Sequence, residues 1–299
     1  MKAAQFERFG GPEVLDIVDL PDPHPGSVEI RIAVHAAGVN ASDWKKREGL
    51  MDQHLPQTLG YEAAGLVDEI GVGVTDVAIG DRVFGFNSEG AAQAELAVLT
   101  AWAPIPRSLD FAGAAALPSA VETAARALDQ LGVSSGKTIL INGASGTIGS
   151  AAVQLAIARG ARVIGTGSPA THEYLRTLGA EPVAYGEGMA ERVRALAPEG
   201  VDLALDAAGS GLPELIDLAG DEDHVITIAD FAGAKKYGVR FSSGESGRAI
   251  YALAQVAKLV DSGQFFLPVG QTFPLADVAE AQRLGESGGV RGKIVLLVD

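Results

Sequence analysis

The stretch Asn142-Gly143-Ala144-Ser145-Gly146-Thr147-Ile148-Gly149 decides how this chain is read. It follows the apolar run Thr138-Ile139-Leu140-Ile141 and opens an amphipathic segment from Ser150 to Ala158. A strand, a glycine turn and a helix N-terminus in that order form the arrangement that cradles a dinucleotide pyrophosphate. The glycines have separate physical duties. Gly143 supplies backbone freedom for the turn, Gly146 lets the main chain approach phosphate oxygens, and Gly149 lets helix and strand pack closely. Ser145, Thr147 and Ile148 sit in the same loop and are expected to share its contacts. A lone glycine loop is also an ordinary βαβ turn, so its position matters. A long segment, Met1 to Ile141, precedes it, and the cofactor domain therefore does not open the chain.

The 299 residues leave room for two domains, each with its own core. Hydrophobic residues make up 47%, and the 38 glycines indicate many tight turns. A formal charge of −15 argues against nucleic acid and against an anionic membrane as partners. It leaves room for an anionic cofactor, because helix N-termini bind phosphate inside an acidic protein. The absence of cysteine excludes disulfides, thiolate catalysis and cysteine-ligated zinc. The N-terminal Met1-Lys2-Ala3-Ala4-Gln5-Phe6-Glu7 lacks the apolar core of a signal peptide. No apolar run reaches the roughly 18 residues needed to span a bilayer. The composition leads us to expect a soluble, cytoplasmic protein.

The first hundred residues read as β-rich. Val28-Glu29-Ile30-Arg31-Ile32-Ala33-Val34 alternates as a half-buried strand does, and Gly65 to Ile70 suits another. Turn signals at Pro21–Gly26 and Gly80-Asp81-Arg82 divide short strands, as in a small barrel. From about Asp110 the character changes. Alanine-rich helical sequence runs from Ala112 to Leu131. Strands then alternate with helices: Thr138–Asn142, Arg162–Thr166, Pro182–Tyr185, Val201–Asp206 and His224–Ile228. That is the rhythm of a doubly wound parallel sheet. A helix is expected around Arg248–Ser262, and a last strand, Gly292-Lys293-Ile294-Val295-Leu296-Leu297-Val298, has no helix after it. The tail is expected to return to the first domain.

Several further motifs occur in order: Phe9-Gly10-Gly11-Pro12-Glu13-Val14-Leu15, Ala37-Gly38-Val39-Asn40-Ala41-Ser42-Asp43-Trp44, Leu59-Gly60-Tyr61-Glu62-Ala63-Ala64-Gly65 and Gly80-Asp81-Arg82-Val83-Phe84-Gly85. Together with the glycine loop and the Gly292-Lys293-Ile294-Val295-Leu296 ending, they resemble the medium-chain dehydrogenase/reductase superfamily. Its zinc-free quinone oxidoreductase (zeta-crystallin-like) branch fits best. The resemblance spans essentially the whole chain. It implies an α/β protein with a discontinuous GroES-like β-barrel catalytic domain (1–118 and 266–299) and a Rossmann doubly wound parallel sheet (119–265), with the active site in the cleft between them. It also implies a homodimer.

Zinc-dependent members hold their catalytic metal with a Cys, a His-Glu pair and a later Cys or Asp. By alignment those places hold Asn40, Tyr61-Glu62 and Ser119, a poor set for tetrahedral zinc. Without a Lewis acid, oxidation of a simple alcohol is difficult. Reduction of a quinone or an α,β-unsaturated carbonyl is easier, since conjugation disperses the charge that hydride delivery creates. NAD-preferring sites place an acid at the end of the second strand to bind the ribose 2′-hydroxyl. Here Gly167 stands there, followed by Ser168, which can donate to a 2′-phosphate, so NADPH is the expected cofactor. The lysine or arginine common in NADP-using relatives is missing. His172 is the nearest candidate cation, either a phosphate contact or a solvated residue on the first turn of its helix.

The resemblance implies further cofactor contacts at Asn40, Thr123, Tyr185, Ala207, Ile228 and Phe231, with Glu122 departing from the small residue usual before Thr123. Asp206, at the end of the fourth strand, reads as a holder of local backbone. Tyr61 is the candidate proton donor or oxyanion partner, with Asn40 and Asp43 as polar neighbours. Tyr61 is otherwise pocket lining, and Asp43 otherwise caps a helix starting at Trp44. Trp44, Phe86, Phe231 and Phe241 line an apolar acceptor pocket or simply pack in the core. Two alternatives stay open: an enoyl reductase of a biosynthetic pathway, and a non-catalytic NADPH-binding protein. A short-chain dehydrogenase is excluded, because none of the five tyrosines has a lysine four residues later.

Overall fold

A computed structural model describes residues 1–87, 90–244 and 247–298. Asp299, the last residue of the expected barrel domain, lies outside them. The chain divides into two compact units, one of Met1–Ser119 with the residues from Leu253 on, the other of Ala120–Ala252. The second boundary falls earlier in the chain than the 265/266 division read from the sequence.

The first unit begins with β1 (Lys2–Phe6), β2 (Asp16–Asp19), β3 (Ile30–Val39), α1 (Ala41–Arg47), β4 (Gln57–Thr58) and β5 (Glu62–Ile70). It continues with β6 (Arg82–Phe86), β7 (Leu96–Leu99), β8 (Ala101–Pro104) and α2 (Phe111–Ala115). The second carries α3 (Pro118–Gln130), β9 (Thr138–Asn142), α4 (Thr147–Ala158), β10 (Arg162–Gly167), α5 (His172–Thr177) and β11 (Glu181–Ala184). It is completed by α6 (Met189–Leu196), β12 (Leu203–Asp206), α7 (Leu212–Ala219), β13 (Val225–Thr227), α8 (Phe231–Tyr237) and β14 (Arg240–Phe241). After α9 (Tyr251–Asp261) the chain adds β15 (Val269–Pro274), α10 (Val278–Ser287) and β16 (Lys293–Leu297) to the first unit.

The alanine-rich run expected as one helix is two, α2 and α3. Pro118 is the cause: it lacks an N–H, and its ring drives the preceding residue out of helical geometry, while suiting the first turn of the helix that follows.

In the first unit, β1 pairs antiparallel with β2 and β4. A larger sheet runs β15-β16-β3-β5-β6-β8, with β7 also on β3. This is the GroES-like architecture. Alternation along Ile30, Ile32 and Val34 buries one face of β3, as the sequence pattern requires. The antiparallel registers matter most for function. Ile294 lies opposite Val39, so Lys293 falls beside Asn40 just past the end of β3. Ala63 lies opposite Ala37, which sets Glu62 beside Gly38.

The second unit has six parallel strands in the order β11-β10-β9-β12-β13-β14, the doubly wound arrangement with its first strand in the middle. Ile139, Leu140 and Ile141 of β9 are fully buried, as a strand covered on both faces must be. Each such side chain contributes about 2 kcal/mol of burial. No described helix is long and apolar enough to cross a membrane.

Candidate active site

The glycine loop leaves β9 at the carboxyl edge of the parallel sheet. Gly143 sits at φ +79°, a left-handed conformation that glycine adopts without strain. A Cβ on Gly149 would fall 2.2 Å from the Gly143 carbonyl oxygen and 2.8 Å from Ala144 Cα, so α4 packs on its own loop only because position 149 has no side chain. Gly146 is the N-terminal flank of α4 and is open: a Cβ there would meet only the Gly143 oxygen, at 3.4 Å. The loop thus borders a cavity of about 370 Å³ with Gly143, Ser145, Gly167, Tyr185 and Ala208 in its wall. These residues fit a dinucleotide, since the glycine loop leading into a helix N-terminus leaves open space beside Gly146 where phosphate can approach.

A buried polar chain holds the strand ends in place, and only its Asp206 was singled out from the sequence. Thr166 Oγ1 donates to Asn142 Oδ1 at 2.7 Å and accepts from Gly143 N at 2.9 Å. Asn142 Nδ2 donates to Asp206 Oδ1 at 3.1 Å and to the Ser210 carbonyl at 2.9 Å. Asp206 Oδ1 also accepts from Ala208 N and Gly209 N, both at 3.0 Å, while Oδ2 accepts from Thr227 Oγ1 at 2.8 Å. Thr227 Oγ1 in turn accepts from Ala229 N and Asp230 N. Asp206, fully buried, therefore holds the backbone and side chains of the neighbouring strand ends. The signal was present in the sequence: strands β9, β10, β12 and β13 all carry a polar residue at or next to their carboxyl ends within otherwise apolar runs.

The other expected cofactor residues fall around this edge with different exposures. Tyr185 follows β11, is 61% exposed and lines the cavity. Ala207 and Ile228 are half-buried and donate their amides to Asn142 and Asp206 carbonyls respectively. Phe231, at the start of α8, is exposed and meets Phe241 edge-on at 5.3 Å. Thr123 is half-buried on α3. Glu122 beside it is explained by an internal network: its carboxylate accepts from Arg126 Nε at 2.8 Å and from Ala249 N at 3.1 Å, with Arg248 at 3.7 Å. His172 does not border the cavity, and its Nε2 is buried without a partner among the described residues.

Gly167 lines the cavity, but the space a side chain would take is filled. A Cβ there would fall 2.4 Å from Thr171 Oγ1 and 2.9 Å from Leu175 Cδ1. The absence of a side chain at Gly167 therefore also serves the packing of Thr171 and Leu175 against the end of β10. Ser168, next after Gly167 and flanking the turn into α5, is half-buried and its side chain makes no cap bond.

In the first unit the registers gather a compact polar cluster. Lys293 and Glu62 are 3% and 0% exposed, with Nζ 2.6 Å from Glu62 Oε1. Lys293 Nζ also donates to Asn40 Oδ1 at 2.5 Å, and Asn40 Nδ2 donates to Glu62 Oε1 at 2.7 Å. Ser119 N donates to Glu62 Oε2 at 2.6 Å. By the alignment, the ligand places of zinc-dependent relatives fall at Asn40, Tyr61-Glu62 and Ser119. Here they hold an amide, a phenol, a carboxylate already paired with the Lys293 ammonium, and a hydroxyl, and this set does not fit tetrahedral zinc.

Asp43 belongs to the same cluster. Helix α1 starts at Ala41, so Asp43 is not the cap of a helix at Trp44; its Oδ2 reaches back to accept from Asn40 N at 2.8 Å. Gln93 Nε2 donates to the same oxygen at 3.1 Å. Burial pushes the Asp43 carboxyl up to about 6 from 3.8, opposed by the Asn40 amide and by the charge of Lys293. An acid whose native pKa is raised favours the fold when protonated. Wild type should therefore gain stability relative to Asp43→Asn, on the order of 1–3 kcal/mol, as pH falls from above 6 towards 4. Urea unfolding of both proteins across that range checks it; parallel pH profiles would sink the assignment.

Tyr61 is half-buried at the entry to β5, with the Lys46 ammonium 4.7 Å from its ring centroid. Of the four aromatics expected to line an acceptor pocket, Phe86 is 2% exposed and Trp44 packs on the barrel core and against Gly285. Both serve packing.

Two family descriptions match the chain: the alcohol dehydrogenase GroES-like domain over residues 26–116 and the zinc-binding dehydrogenase over residues 178–296. The human quinone oxidoreductase is 31% identical over 323 residues, covering 100% of this chain and 98% of that protein. The chloroplastic NADPH-dependent alkenal/one oxidoreductase of Arabidopsis thaliana is 31% identical over 315 residues, covering 99% and 79% respectively. Among solved structures, the quinone oxidoreductase from Coxiella burnetii aligns with a TM-score of 0.85 at 33% identity, covering 100% of this chain and 99% of that one.

Proposed function

Because the chain belongs to the medium-chain dehydrogenase/reductase superfamily, in its zeta-crystallin-like quinone oxidoreductase branch, we propose an NADPH-dependent, zinc-independent reductase of quinones or α,β-unsaturated carbonyls. The observation that carries this reading is the Lys293–Glu62–Asn40 cluster, an ammonium standing among the positions where relatives bind metal. A site of that kind offers no Lewis acid to an alcohol, which leaves acceptors whose own conjugation stabilises the product.

When bound, the nicotinamide supplies the hydride. In this reading the residues of the chain bind, orient and supply a proton. The side of the loop left open by Gly146, at the N-terminal end of α4, receives the pyrophosphate in this reading. The Thr166–Asn142–Asp206–Thr227 chain fixes the loops that carry Ala207, Ala208 and Ile228. Tyr61 is the proton donor or oxyanion partner, and the nearby Lys46 charge favours electron density on that side of the ring. Asn40 is held by two charged partners and so presents one fixed amide orientation. A cytoplasmic homodimer belongs to the same reading.

Initial rates of NADPH oxidation with a quinone, a small enone and an acyl thioester test it. Turnover with the first two supports the reading; turnover with the thioester alone favours the enoyl reductase. Tight NADPH binding with no turnover favours a cofactor-binding protein. Cofactor choice has its own test. Ser168→Asp places a carboxylate at the first free position after β10, and should raise the KM for NADPH about tenfold or more while improving that for NADH. An unchanged ratio of kcat/KM for the two cofactors would put the 2′-phosphate elsewhere. Gly167→Asp is the poorer probe, since its side chain collides with Thr171 and Leu175.

A further inference from the structure

Two buried side chains of the barrel unit share a hydrogen bond, and each is left with one unsatisfied oxygen. Gln93 Nε2 spends both its protons, donating to the Gly38 carbonyl and to Asp43 Oδ2, each at 3.1 Å. Asp43 Oδ2 also accepts from Asn40 N at 2.8 Å. Asp43 Oδ1 and Gln93 Oε1 are buried without a partner among the described residues, and both side chains are fully out of water. Turning the Gln93 amide over does not help. Its oxygen would then face two acceptors, the Gly38 carbonyl and the Asp43 carboxyl.

This arrangement is costly for a carboxylate and complete for an acid. One proton makes Oδ1 a hydroxyl donor for Gln93 Oε1, and leaves Oδ2 as the carbonyl oxygen that takes the two N–H groups. The charge balance asks for the same proton. Of the charged groups around Asp43, Glu62 comes from β5, Lys293 from β16 and Lys46 from its own helix. Lys293 is engaged by Glu62 at 2.6 Å, and Lys46 lies over the Tyr61 ring. On α10, which packs on α1, Glu286 is taken by Arg47. Gly38 of β3 and Gln93 of the β6–β7 loop bring no charge. A second buried carboxylate would have to share Lys293 with Glu62, whereas a neutral acid does not. Burial already lifts the Asp43 titration to about 6, against the pull of the Asn40 amide.

We infer that Asp43 is held as a neutral carboxylic acid whose Oδ1 hydroxyl donates to Gln93 Oε1, and that this acid–amide pair is a proton-dependent latch on the turn that presents Asn40. Loss of the proton breaks the bond to Gln93 and puts a second negative charge beside Glu62. Two carboxylates then compete for the ammonium that holds the Asn40 side chain. The latch does not depend on the reductase reading, because it concerns a protonation state and no substrate.

Infrared difference spectra of the full chain, wild type minus Asp43→Asn, test it. At about pH 5 the difference should contain the carbonyl band of a protonated carboxylic acid, giving way to carboxylate absorption as pH rises through about 6 or above. Gln93→Met removes both the donor to Oδ2 and the acceptor of the hydroxyl, so it should move that band to higher wavenumber. Carbon-13 NMR of wild type labelled at its aspartate carboxyls needs no variant to fold. One aspartate should titrate at about 6 or higher, well above the exposed ones. The Asn40 side-chain amide signal should shift with the same midpoint. No acid band at about pH 5, or no aspartate titrating near 6, would overturn the neutral acid. A band position that ignores Gln93→Met would overturn the pair, and an Asn40 signal that ignores the titration would overturn the latch.

Discussion

Lys293→Met is expected to lower the free energy of unfolding by about 3–5 kcal/mol. Glu62 is fully buried, and Lys293 is the cation within 2.6 Å of it. Removing the ammonium leaves a carboxylate out of water with, among the described residues, the Asn40 amide and the Ser119 N–H as its donors. Those two bonds do not replace a counter-charge. The cost belongs to the stranded carboxylate more than to the lost pair, so the double variant Lys293→Met, Glu62→Gln should recover most of it. Urea unfolding of the two variants and wild type measures both. A single-variant loss below about 1 kcal/mol would place the pair with solvated surface bridges and undo its role in fixing Asn40.

Gly149→Val should have an effect of similar size by a different route. Its Cβ would lie 2.2 Å from a backbone oxygen, which cannot rotate away as a side chain does. Helix α4 must shift off its loop, at a cost of about 1–3 kcal/mol or more. The amides that meet the pyrophosphate move with it, and NADPH affinity should fall more than tenfold, or above about 1.4 kcal/mol. Gly146→Ala separates the two effects. Its methyl has room in the fold, touching only the Gly143 oxygen at 3.4 Å, but it occupies the open side of the helix start. That variant should keep wild-type unfolding and lose cofactor affinity in a fluorescence titration. Wild-type affinity in Gly146→Ala would remove the pyrophosphate from this loop.

The parallel unit was legible because its strands are continuous apolar runs and its turn is spelled by glycines at fixed offsets. The order of the strands around β9 follows from the doubly wound pattern. What the sequence hid lies across strands. Lys293 reads as one residue of a terminal strand until the 36–39 and 294–297 pairing sets it beside Asn40. Asp43 and Gln93 stand 50 positions apart, and nothing in their spacing brings them to one hydrogen bond. Gly167 was legible as a missing acid; the reason for the glycine was not, because Thr171 and Leu175 reach it only once the turn is formed. The single helix expected over Ala112–Leu131 failed at Pro118, where composition outweighed a local breaker that was plain in the sequence.

The separation between Asn40 and Lys293, 253 positions, has a consequence for how the chain is made. During synthesis at about 5–20 residues per second, domains fold as they emerge. The whole of Ala120–Ala252 leaves the ribosome before β16 exists. The parallel sheet can therefore complete itself while the barrel still lacks β15 and β16. The buried pair of Glu62 and Lys293 can form only when the last strand has been made, so the barrel's polar cluster is the part of the chain assembled last.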